Sequence, residues 1–200
     1  MKAPKISFKS FIFELVIVFV GVYGAFELNR YQEHQREQKI KLNYFKSFKL
    51  ELNKLIADTR RTKDLIDQTI EELESSWANQ EQPMLAPLEF YFSAEMLITR
   101  TGFNDDVFTQ INPELSASLS GGFDNFQAVN QMLKEFDHSC SIHLLTKSRK
   151  DFYQGSGALK PEYNWYLKGL EELQIRFNSL EKMISEGALP ATNAFIEELE

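Results

Sequence analysis

Cysteine and histidine are scarce: the 200 residues hold one Cys, Cys140, and three His. A single thiol excludes an internal disulfide framework. A structural zinc site takes four ligands, and the only grouping on offer is His138, Cys140 and His143. On a helix at ~100° per residue, His138 and Cys140 point ~160° apart, so the three do not share a face. They read as a core thiol and two surface or amphipathic histidines, with no metal expected. Also absent are a G-x-S-x-G nucleophile turn and a phosphate-binding glycine loop. Asp105-Asp106 is explained by helix capping, and Glu171-Glu172 and Glu197-Glu198 by solvated helix faces. No residue is assigned a catalytic role and no cofactor is implied. Proline and glycine are missing altogether from Asn29 to Asn79, which removes every ordinary helix breaker from that stretch.

What is present is one long apolar run, Phe11–Leu28, reading FIFELVIVFVGVYGAFEL. As a helix its eighteen residues rise roughly 27 Å, close to the ~30 Å of a bilayer core. Lys5 and Lys9 are placed to snorkel. Gly24-Ala25-Phe26-Glu27 is a poor signal-peptidase site, and the helical pattern continues past it, so the run reads as an uncleaved anchor. Its polar and small residues are not scattered. Glu14, Gly21, Ala25 and Asn29 fall within ~80° of arc at ~100° per residue. Gly21 and Ala25 form a small-xxx-small pair that lets another helix approach, and Glu14 is costly in hydrocarbon unless it faces protein, water or a headgroup. These four are the expected membrane-helix contact face.

The pattern E-x6-G-x3-A-x3-N, with Tyr31 and Glu33 following, resembles an uncharacterised family of bacterial single-pass membrane proteins. The matching positions are Glu14, Gly21, Ala25, Leu28, Asn29 and Glu33; Arg30 and Tyr31 depart from the family's Asn and Trp. The specific likeness covers about twenty residues, a tenth of the chain. It implies a membrane anchor with a helical domain and brings no activity with it.

Charge is divided along the chain. Residues 1–63 hold 13 Lys/Arg and 6 Asp/Glu, for +7, whereas 64–200 hold 9 and 23, for −14. The basic part lies near the lipid and suits anionic headgroups. The acidic part argues against nucleic acid as a partner. Lys2, Lys5 and Lys9 before the run nearly balance Arg30, Arg36, Lys39 and Lys41 after it. Because long C-terminal domains translocate largely regardless of charge, the expected location is the inner membrane with the domain in the periplasm.

The expected architecture is all-α: a 1–10 tail, a transmembrane helix 11–28, a polar stalk 29–41 and an antiparallel helical bundle 42–200. Membrane helix and stalk are expected to form one rod. An apolar stripe of Phe45, Phe48, Leu52, Leu55, Ile66, Ile70, Leu73 and Trp77 marks an amphipathic helix. Thr59 and Thr62 take seam positions between its two halves. About two heptads are too few for a self-supporting coiled coil, so the stripe should pack on later helices of the chain. Gln80–Pro87 is a break. Leu88–Thr101 reads as a helix, with LEFYF as a competing strand start. Asn104-Asp105-Asp106 and Asn112-Pro113-Glu114 read as caps of two short helices, and Ser120-Gly121-Gly122 as the turn that ends them. A long helix is expected over Phe123–Gln154, closing on Lys147, Arg149 and Lys150. A loop follows at Gly155-Ser156-Gly157. The next helix starts at Pro161 and carries Tyr163, Tyr166, Leu170, Leu173, Phe177, Leu180 and Ile184 on one face. Gly187 and Pro190 interrupt it before a last short helix.

Two functional readings follow. In the first, the chain is a non-enzymatic scaffold or accessory subunit that meets the bilayer, and either copies of itself or another membrane protein, through the Glu14 face. A ten-residue tail carries no output domain, so any signal leaves sideways or through the bundle. In the second, the helical domain senses a small ligand, with Leu88–Phe92 and Tyr163–Tyr166 lining a pocket. Plain core is the simpler account of those aromatics.

Overall fold

The computed structural model describes the backbone of residues 8–90, 92 and 113–200, and the side chains of 13–90, 92 and 123–200. α1 is a single 71-residue helix, Phe8–Ala78. At ~1.5 Å per residue it is roughly 107 Å long. Anchor, stalk and first bundle helix are thus one element, as the missing breakers lead one to expect. Its end is built on Gln80, whose φ of 61° places it in the left-handed region. The Gln80 amide returns to the Trp77 carbonyl at 3.0 Å and that of Glu81 to Ser76 at 2.8 Å. This pair of bonds satisfies the last carbonyls of the helix.

Residues 81–90 and 92 are irregular rather than helical, so the helix expected from Leu88 does not start there. Its remaining residues, like the Asn104-Asp105-Asp106 cap, lie outside the described residues. Pro83 and Pro87 remove two donors, and tertiary bonds fix the strap instead. The Tyr153 hydroxyl donates to the Pro83 carbonyl at 2.8 Å, and Tyr166 to that of Ala86 at 2.7 Å. Leu85 is fully buried beneath it, and Phe92 meets the rings of Phe126 and Phe177.

α2 spans Pro113–His143, with Pro113 at its first position. Contrary to the turn expected at Ser120-Gly121-Gly122, the helix runs straight through. Glycine costs ~1 kcal/mol within a helix but does not forbid one. The buried stripe Phe126, Val129, Leu133, Phe136 and Cys140 offsets that cost. The helix also stops at His143, well before Gln154. Ser148 starts a separate short helix, α3 (Arg149–Phe152), by donating its amide and hydroxyl to the Asp151 carboxylate at 2.7 and 2.8 Å. The basic cluster therefore sits around the start of α3, not at the C-terminus of a long helix. Those two bonds hold the Asp151 carboxyl below the usual carboxylate range.

A tight loop follows, with Gly157 at φ 89° and Tyr153 bridged to Leu159. A 3-10 turn over Pro161–Tyr163 leads into α4, Asn164–Lys182. Gly187 and Pro190 do not break the chain's helical course. Met183–Ala188 winds as a π-helical turn and passes into α5, Leu189–Leu199. Proline lacks an N–H and crowds the carbonyl four residues back, and the wider turn relieves both.

α4 and α5 return along α1. Lys46 pairs with Glu200, Arg60 with Glu181, Asp67 with Gln174 and Trp77 with Tyr153, so numbers rise on one side as they fall on the other. α2 lies on α4, with Phe136 against Trp165 and Tyr166. The predicted stripe of α1 is buried from Phe45 to Leu73, and that of α4 from Tyr166 to Leu180. Thr59 and Thr62 occupy the seam, fully buried, and neither hydroxyl has a hydrogen-bond partner among the described residues. The described residues thus form an all-α helical bundle with no strand beyond the one bridge.

Candidate functional site

α1 has two lives. From Phe45 onward one side is covered by α4 and α5. From Phe13 to Ile40 every residue is exposed, and no other described element covers it. Eleven of the sixteen residues from Phe13 to Leu28 are large apolar or aromatic side chains, 47 to 69% exposed and spread around the whole helix. Glu14, Gly21, Ala25 and Asn29 lie within this bare segment. A Cβ built on Gly21 or Gly24 meets nothing within 4 Å, so neither glycine serves a contact inside this chain. Beyond the apolar sleeve the stalk is polar, with Glu27 and Arg30 3.4 Å apart.

Among the described residues, no helix is long and apolar enough to cross a membrane. The expected span begins at Phe11 and Ile12, whose side chains lie outside those described. Eighteen residues counted from Phe13 reach Arg30 and take in Glu14, Glu27 and Arg30; counted from Phe11 they end at Leu28 with two carboxylates.

The candidate chemistry disperses. Cys140 is fully buried, and burial, aided by Asp137, pushes its thiol up to about 12. His138 is exposed, and His143, also exposed, lies edge-on to Trp165 at 5.9 Å between centroids. Among the described residues no group of three or more His, Cys, Asp and Glu is arranged to hold a metal ion. Asp105 and Asp106 lie outside the described residues, while Glu171, Glu172, Glu197 and Glu198 are exposed.

The aromatics named for a ligand pocket pack on each other. Phe90 and Trp165 both meet the Phe136 ring, Tyr163 meets Phe152, and Tyr166 is buried. Two polar networks were not legible beforehand. Glu181 accepts from Arg60 Nε at 2.7 Å and Lys63 Nζ at 3.0 Å, which lowers its carboxyl pKa. The Trp77 indole donates to the Tyr153 hydroxyl at 3.1 Å, which in turn holds the strap. Both join residues more than 70 positions apart, and local spacing carries no signal of that. Ile40 and Leu50 are a different omission. At 59 and 70% exposure they stand out of phase with the buried stripe, and that phase was readable in the sequence.

Comparison of the chain with protein-family models, with curated proteins and with solved structures found no match.

Proposed function

We propose that this chain is a non-enzymatic, single-pass membrane-anchored helical protein that works as an oligomerising scaffold or accessory subunit. The observation that carries the reading is the bare apolar sleeve of α1. A soluble monomer's largest exposed apolar patch is roughly 300–600 Å². Eleven large apolar side chains around a free helix exceed that, and their all-round distribution fits hydrocarbon rather than one protein groove. Starting the span at Phe11 keeps its charge to Glu14 near one end and Glu27 near the other. The Glu14, Gly21, Ala25 and Asn29 face then offers small residues and two hydrogen-bonding side chains to a neighbouring helix. The short E-x6-G-x3-A-x3-N likeness to bacterial single-pass proteins agrees with an inner-membrane location. The ligand-sensing alternative requires a cavity, and the aromatics it would use fill the core instead.

The test is extraction of native membranes with alkaline carbonate. The chain is expected to stay in the pellet and to leave only with detergent; release by carbonate overturns the anchor. In detergent, Glu14→Leu or Gly21→Leu is expected to shift the native mass towards a smaller assembly. An unchanged mass removes the contact face from the reading.

A further inference from the structure

The contact face does not stop at Asn29. Steps of three and four carry the same line along α1 through Arg36, Ile40, Asn43, Ser47, Leu50 and Ala57. Taken at ~100° per residue, this line runs ~120–220° round the helix from Phe45, the side that α5 covers. The burial pattern agrees. Phe45, Phe48, Leu52 and Leu55 are buried, whereas Asn43, Leu50, Lys54 and Ala57 between them are exposed. The bundle therefore hangs on one side of the rod, and the Gly21–Ala57 line runs down the opposite side with nothing across it among the described residues.

We infer that this back line of α1 is the seam on which a second copy of this chain packs in parallel. The inference rests on the membrane-anchored reading for its parallel sense, since both anchors enter the same bilayer. Charge selects a copy of itself as the occupant. One flank of the line carries Glu33, Glu37, Glu51 and Asp58; the line and its other flank carry Arg36, Lys39, Lys46 and Lys54. A two-fold axis along the rod sets the acidic flank of each copy against the basic side of the other, at matching heights. Small residues, Gly21, Ala25, Ser47 and Ala57, let the backbones approach. Ile40 and Leu50 lose their exposed apolar surface in the pair, and Asn43 offers a polar contact of the kind that fixes register. The bundles then splay outward on opposite sides and do not collide.

The test uses the full chain in native membranes, carrying Asn43→Cys, Leu50→Cys or Ala57→Cys one at a time, under mild oxidation. Arg176→Cys, on the exposed side of α4, and the parent chain serve as controls. Because a disulfide needs Cα atoms within about 7 Å, a dimer band reports direct apposition. The parent thiol, Cys140, is buried and gives no background band. Dimer bands are expected at all three line positions and at neither control. Lys46→Glu in the Leu50→Cys chain is expected to weaken its band, and adding Glu51→Lys to restore it. Carbonate extraction of the same membranes separates the two readings. Pelleted protein without line-position bands overturns the pairing and leaves the anchor standing. Carbonate-released protein overturns the anchor, and the bands still decide the pairing.

Discussion

Glu181 is the residue where one carboxylate ties two parts of the fold together. It sits near the end of α4 and accepts from Arg60 and Lys63 of α1, one helical turn apart on the opposite rod. Hydrogen bonds from both cations lower its pKa, so the folded state holds its proton more weakly than the unfolded chain does. The sign follows by linkage. Its contribution is fully present above the ordinary Glu value of about 4.3 and is lost as pH falls through the lower folded value. Glu181→Gln is therefore expected to lower the melting temperature at pH 7 and to narrow its difference from the parent chain below pH 4. Parallel thermal melts across that range check it, and a constant difference at every pH refutes the ion-pair account.

Between elements, the closest approach is at Gly169 in the middle of α4. A Cβ there would meet Cδ2 and Cε2 of Phe136 at 2.7 and 2.8 Å, and Phe136 is itself buried among Phe90, Trp165 and Tyr166. Alanine gains ~1 kcal/mol of helix propensity over glycine, yet overpacking a fixed ring costs typically 1–3 kcal/mol. Gly169→Ala is expected to destabilise the chain by about 1 kcal/mol in urea titrations, and a stabilised variant would mean α2 and α4 sit further apart. The same contrast explains what could be read in advance. The stripes of α1 and α4 and the start of α2 at Pro113 follow from periodicity and caps, which are local. The contact face of α1 was legible only as far as Asn29, because past that point its polar and charged members look like plain stalk. The strap after Pro83, the passage of α2 through Gly121-Gly122 and the π turn before Pro190 depend on distant partners, so local signals misjudge them. Tyr153 and Tyr166, which pin the strap, stand 70 and 80 residues away from the carbonyls they hold.

Seen whole, the molecule is a rod with a bundle clasped to its distal half. α1 passes from the apolar sleeve to the bundle with no loop, glycine or proline between Asn29 and Ala78. Such a rod works as a phase keeper. Every residue added between sleeve and bundle turns one against the other by ~100° and lifts it ~1.5 Å. A single alanine inserted between Gln35 and Arg36 should swing the Gly21–Ala25 face out of line with Leu50 and abolish pairing at one of the two. Seven inserted residues bring the faces back within ~20° and should restore pairing at both, although the bundle then stands ~10 Å higher. Crosslinking at Leu50 across an insertion series of one to seven residues reads this directly, with a periodic rise and fall as the expected result and a smooth decline as the contrary one. The length of the stalk is thereby quantised: it can drift in evolution only by near-whole turns, while its polar composition is free to change.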